Sequence, residues 1–180
     1  HRVLVKRSFI YTNKNSKSNS LFYLPMGSRI FVKNIKPDLA DISFYFTNQT
    51  QTGYVPTTHL VTLQPSVNYS VEVAQLLYGT PYKWGGRDTI SLDCSSLIQL
   101  ICNTQNSFLH RNTNEQVLFL QKNFENLIVD PKLYKDIYKT KSFKKGSLVY
   151  WTGHVGILIE NNIIMHANAF HNNVNIENNV

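Results

Sequence analysis

Leu92-Asp93-Cys94-Ser95-Ser96-Leu97, continued by Ile98 and Ile101, decides how this chain of 180 residues is read. Leu97, Ile98 and Ile101 recur at helical spacing, so Cys94 to Cys102 is expected to form a helix with one apolar face. Cys94 then stands in its first turn, where unpaired N–H groups and the positive end of the helix dipole favour thiolate over thiol. A nucleophile needs that help, because a free thiol of pKa about 8.5 is mostly protonated at neutral pH. A cysteine is more often a small buried hydrophobe, but the polar collar of Asp93, Ser95 and Ser96 is unlike a core position. Cys102 lies roughly 12 Å further along the helix axis. That is too far for a disulfide, and its apolar neighbours mark it as structural.

Upstream of this helix the period changes twice. Residues 1–64 read as short strands, Val3 to Val5, Ser8 to Thr12, Leu21 to Leu24, Arg29 to Lys33, Ile42 to Phe46 and Gly53 to Pro56, separated by turn-rich stretches. That is the pattern of a small all-β barrel. Residues 65–69 are expected to be a linker, and residues 70–180 a second domain. It opens with a helix in which Val71, Ala74, Leu77 and Tyr78 share a face, Ser70 caps the start and Gly79 ends it. Thr113-Asn-Glu-Gln116 has the form of a capping box that opens a third helix, Asn114 to Gln121. From Gly146 the chain turns to strands: Ser147 to Trp151, His154 to Glu160, Ile163 to Ala167 and Val174 to Ile176. Helices followed by an antiparallel sheet make the second domain α+β.

A thiolate nucleophile is usually served by an imidazole that takes and returns its proton. Of the six histidines, His154 opens one strand and His166 lies in the next. With a three-residue turn at Glu160-Asn161-Asn162, Ile159 pairs with Ile163 and His166 with Gly156, and the two histidines share a face. A two-residue Asn161-Asn162 turn would place them on opposite faces. On the same-face reading, His154 is the base and His166 its orienter.

Other chemistries are poorly served. No Cys-x-x-Cys, His-Glu-x-x-His or compact carboxylate and histidine cluster is present, so no metal and no organic cofactor is expected. Gly85-Gly86 lacks the context of a phosphate loop. The net charge of +7 invites a polyanionic partner, but residues 1–66 hold 8 Lys/Arg against 2 Asp/Glu, while residues 67–180 hold 10 against 9. Lys132, Lys135, Lys139, Lys141, Lys144 and Lys145 read as a solvated face, and no basic surface interleaved with aromatics points to nucleic acid. No apolar run of about 18 residues exists, so no transmembrane segment is expected. HRVLVKRS has no apolar core that would make a signal peptide, and a start at His1 reads as a processed chain or a fragment.

Tyr78-Gly-Thr-Pro-Tyr-Lys-Trp-Gly-Gly86, Leu92-Asp-Cys-Ser-Ser-Leu97, Gly153-His-Val-Gly-Ile157 and Met165-His-Ala167 resemble, in order and spacing, the NlpC family of bacterial cell-wall cysteine peptidases. The match covers about residues 68–180. Gly53-Tyr-Val-Pro56 with His59-Leu60 is similar to the end of a bacterial SH3-like domain. The resemblance implies a papain-like α+β fold in which Cys94 attacks an amide carbonyl, His154 is base and then acid, His166 is the polar third member and Tyr82 lies near the oxyanion position. It further implies a γ-D-glutamyl-L-diamino acid endopeptidase that cuts peptidoglycan stem peptides, whether in cytoplasmic recycling or at the cell envelope. Asp93 and Ser95 would hold the free amine of the leading L-alanine, with Arg111 and Asn112 beside them, and the SH3-like module would narrow the cleft.

The wording departs from the family's in three places. Ser96 replaces a glycine, Ser147 an aspartate, and Asn112 an aspartate that would pair with the substrate amine. Asn112 accepts a hydrogen bond but carries no charge, which weakens selection for a free amine. A papain-like amidase or acyltransferase acting on another small amide, and a non-catalytic wall-binding protein, are the contrasting readings. The second would have been favoured by loss of Cys94, His154 or His166, and all three are present.

Overall fold

In the computed structural model residues 1–63, 70–123 and 144–178 are described. The chain divides into two units, His1–Pro65 and Ser66–Val180. The expected linker and Lys132, Lys135, Lys139 and Lys141 lie outside the described residues.

Thr47 and Asn48 both adopt positive φ, 50° and 61°, which is the two-residue turn whose twist matches antiparallel strands. It joins β5 (Leu39–Phe46) to β6 (Gln49–Pro56) in register from Phe46↔Gln49 to Leu39↔Pro56. The polar run Gln49 to Thr52 belongs to this hairpin although it lacks an apolar alternation. Around it, β2 (Arg7–Tyr11), β3 (Ser20–Pro25) and β4 (Phe31–Ile35) complete an antiparallel sheet of order β3-β2-β6-β5-β4. β1 (Arg2–Val3) and β7 (Leu60–Val61) form a separate pair, with a 3-10 turn at Thr57–His59 before β7. The expected barrel is not closed. β3 and β4 stand at opposite edges of the five-stranded sheet, which instead curves over Ile10, Ala40, Ile42 and Val55, flanked by Phe22, Leu24, Ile30 and Phe44.

In the second unit α1 (Ser70–Leu76) buries Val71, Val73 and Ala74, and Gly79 at φ +73° turns the chain out of it. α2 (Cys94–Thr104) packs against α1 and against a four-stranded antiparallel sheet of order β11-β10-β9-β8. The strands are β8 (Leu148–Trp151), β9 (His154–Glu160), β10 (Ile163–Asn168) and β11 (Asn173–Asn178). α3 (Thr113–Asn123) lies between α2 and β8 in the chain.

The β9–β10 connection resolves the two alternatives in an unexpected way. Glu160 pairs with Ile163, so the turn is the two-residue Asn161-Asn162, with Asn162 at φ 59°. Past the turn the register shifts, and Ile164 pairs with Leu158 and Met165 with Ile157, which leaves Ile159 as the extra residue of a β-bulge. The bulge restores the register of a three-residue turn. His166 therefore falls opposite Gly156, whose missing side chain leaves the room: a Cβ there would sit 2.5 Å from Ile164 and 3.1 Å from the His166 Cβ.

Candidate active site

Asp93 builds the site from the helix start. As N-cap of α2 it accepts the Ser96 N–H at 2.9 Å, while the Ser96 hydroxyl accepts the Asp93 N–H at 2.9 Å, a reciprocal capping box. The serine in place of glycine thus closes the cap. The same carboxylate accepts the Gly85 N–H at 2.9 Å and the Ser95 hydroxyl at 3.1 Å. Arg111 grips it with both arms, Nη1 to Oδ1 at 3.0 Å and Nη2 to Oδ2, and Nη1 also reaches the Ser95 hydroxyl at 2.8 Å. Burial alone would raise the Asp93 carboxyl, but these donors and the Arg111 charge hold it below the usual carboxylate range.

Cys94, the first residue of α2, is buried and not in a disulfide. Its Sγ lies 3.9 Å from the Gly153 carbonyl oxygen, so the helix start meets the entry of β9. The expected bias toward thiolate does not prevail. Burial pushes the thiol up and the nearby Asp93 carboxylate adds to this, against the backbone N–H groups of Val155, Ser95 and Cys94 itself. Cys94 therefore rests as a thiol. Cys102 is partly buried, and loss of solvent pushes its thiol up to about 11.

His154 and His166 meet, with His154 Nε2 2.7 Å from His166 Nδ1. The Trp151 ring lies 5.5 Å from that of His154 and 6.3 Å from that of His166. Burial, then the charge of His166, pushes His154 down to about 4, against a pull upward from Glu177.

Tyr82 is placed by its own N–H, which donates to Asn172, and by a bridge to Leu92. Its phenol is raised by burial and then by the charges of Cys94 and Asp93. A cavity of about 450 Å³ opens at Cys94, lined by Trp84, Gly85, Asp93, Ser95, Arg111, Asn112 and Gly153 among others. Among the described residues no cluster of three or more His, Cys, Asp or Glu side chains is arranged to hold a metal ion.

A family profile described as the NlpC/P60 family matches residues 79–179. The chain belongs to the NlpC/P60 family. Among curated relatives, the probable peptidoglycan endopeptidase LytE of Bacillus subtilis (strain 168) is 33% identical over 104 residues, 58% of this chain and 28% of that protein. Dipeptidyl-peptidase 6 of Lysinibacillus sphaericus is 26% identical over 106 residues, 59% of this chain and 34% of its own. The chain thus matches about a third of the length of these relatives. A solved NlpC/P60 family protein from Bacillus cereus ATCC 10987 shares the fold, with a TM-score of 0.73 at 16% identity, over 98% of this chain and 57% of that one.

Of the residues expected at the site, Asp93, Cys94, Ser95, Arg111 and Asn112 line the cavity and His154 meets His166, while one cap was misplaced and several partners were missed. Asn112 precedes α3, and its N–H and its Nδ2 both donate to the Glu115 carboxylate at 3.3 Å, while Gln116 of the expected Thr113–Gln116 box is turned elsewhere. Asn112 thereby stands at the start of α3, where its carbonyl accepts the Gln116 N–H at 2.9 Å, and lines the cavity as well. Gln116 is fully buried instead, donating to the Ser95 and His110 carbonyls and accepting the Tyr150 hydroxyl at 3.0 Å. Trp84, 81% exposed at the cavity rim, was legible only as part of a motif. Glu177 and Asn168, which surround His166, had no sequence signal beyond lying in the last strands.

The depressed His154 carries a stability consequence. In the unfolded chain this imidazole takes a proton near its ordinary value of 6.5, whereas in the folded protein it resists protonation to about 4. Its contribution is therefore full above pH 6.5 and lost as pH falls toward 4. The urea midpoint is expected to drop between pH 7 and pH 4.5, and to drop less in His154→Asn.

Proposed function

We propose that this NlpC/P60 protein is a cysteine endopeptidase that hydrolyses the γ-D-glutamyl to L-diamino acid bond of peptidoglycan stem peptides. The observation that carries the reading is the meeting of Cys94, at the capped start of α2, with the entry of β9 beside the linked His154 and His166. The Cys94 sulfur attacks the amide carbonyl carbon while its proton passes to Nδ1 of His154, the ring nitrogen not engaged by His166. The oxyanion is met by the Cys94 N–H, which has no acceptor within the helix, and by the Tyr82 hydroxyl. His154 returns the proton to the leaving amine as the C–N bond breaks, leaving a thioester. Water, deprotonated by the same imidazole, attacks the thioester, and the carboxylate product and the thiol are released.

LytE, a probable peptidoglycan endopeptidase by name, supports the substrate class. The basic first unit, with most of the net charge, is read as an accessory module for carboxylate-rich wall material. Ser95, Arg111 and Asn112 position the part of the substrate preceding the scissile bond. Asp93 is already neutralised by Arg111 and Asn112 adds no charge, so an ammonium group in the cavity would meet no unpaired carboxylate among them. L-Ala-γ-D-Glu-diaminopimelate and its N-acetyl form should therefore both be cleaved, at rates within about one order of magnitude of each other, a difference of about 1.4 kcal/mol or less. Chromatography of the released L-Ala-D-Glu reads this. No release from either peptide would sink the endopeptidase reading, and strict dependence on the free amine would sink the account of Asp93.

A further inference from the structure

The hydrogen-bond chain through the histidines does not end at His166. Its Nε2 lies 3.1 Å from Oε1 of Glu177, on the edge strand β11. The same oxygen is 3.2 Å from the Asn168 side-chain nitrogen and 2.9 Å from Nε2 of His171. We propose that Glu177 is a positioning residue that sets the tautomers of both imidazoles, so that Nδ1 of His154 is bare when substrate arrives. The proposal rests on the reading of Cys94 and His154 as nucleophile and base.

The proton inventory carries the argument. One proton lies between His154 Nε2 and His166 Nδ1, and either ring can own it. An ionised Glu177 can only accept, so it selects the His166 tautomer with its proton on Nε2. A neutral His166 is then bare at Nδ1 and must accept from His154 Nε2–H, which leaves His154 bare at Nδ1. The opposite pattern has its own partner in place: the Asn168 nitrogen is 2.9 Å from His166 Nε2 and could donate to it if it were bare. That pattern would put a proton on His154 Nδ1 and block the base. The Asn168 amide is held in this orientation because its oxygen accepts the His171 N–H at 2.8 Å. Two proton patterns therefore fit one set of heavy atoms, and the charge on Glu177 chooses between them.

Glu177 is ionised at neutral pH. Burial acts to raise its carboxyl, but bonds and charge from His166 and His171 outweigh this and hold it below the usual range. Among the described residues the ring nitrogens of these two histidines face it, at 3.1 Å and 2.9 Å.

Selective ¹⁵N-histidine NMR on the whole wild-type chain tests the tautomer without any substitution. The expected pattern is His154 protonated on Nε2 and bare on Nδ1 at pH 7; a proton on Nδ1 overturns the proposal. In Glu177→Gln the signature should shift toward the opposite tautomer, with kcat on the stem tripeptide falling roughly 10- to 100-fold at little changed KM, and Glu177→Asp should recover part of the loss. Wild-type kcat and an unchanged tautomer in Glu177→Gln would overturn it. Activity that survives Cys94→Ala would instead remove the thiol-peptidase reading, while the NMR signature would still report on Glu177 alone.

Discussion

Cys94→Ala is expected to lower kcat on the stem tripeptide by roughly 10⁴- to 10⁶-fold, the scale on which loss of a nucleophile removes the covalent route. The fold should survive, because the change deletes one sulfur from a helix that stays capped by Asp93 and Ser96. Equal thermal midpoints for wild type and variant would show this. Iodoacetamide supplies an independent check. Cys94 lines an open cavity whereas Cys102 is pushed up to about 11 by burial, so peptide mapping should find Cys94 alkylated first, with activity lost in step. Release of L-Ala-D-Glu by Cys94→Ala at the wild-type rate would assign the reaction to another nucleophile.

The second large effect concerns stability. Asp93→Ala removes at once the cap of α2, the acceptor for Gly85 N–H and the partner of a two-armed guanidinium. The Asp93 side chain is only 9% exposed and that of Arg111 23%, so the stranded Arg111 cannot recover full hydration. Breaking such a pair from one side costs about 3–5 kcal/mol, and a lost cap alone about 1 kcal/mol. Urea titration at pH 7 reads the loss. The double variant Asp93→Ala with Arg111→Met should be less destabilised than the sum of the two single changes, because no unpaired charge remains. A loss below about 1 kcal/mol in Asp93→Ala would put the pair in the class of solvated surface ion pairs. The same geometry gives Asp93, read from sequence as a ligand for an amine, a structural task as well.

How much of this was legible in advance depended on whether a residue's role was local. Gly79 and the Cys94 helix were readable because φ preference and helical period act within a few residues. The hairpin at Thr47-Asn48 was not, since its strand Gln49 to Thr52 has no apolar alternation and is held by pairing with β5. The first unit suggested a barrel because strand spacing resembles one, yet closure depends on whether two edge strands meet, which spacing does not encode. The box expected at the start of α3 does not form because Gln116 is buried and donates to the Ser95 carbonyl instead.

By itself the sequence determined the family, the two-part organisation and the order of chemistry along the chain: a capped cysteine, then two histidines on adjacent strands. Those follow from residue types and short spacings. Only the tertiary structure decided which way His166 faces, through a bulge at Ile159 that offsets a two-residue turn and moves every later side chain across the sheet. It also set the direction in which each group is shifted, because burial and neighbouring charges, brought together from α2, β9, β10 and β11, push the Cys94 thiol up and the His154 imidazole down.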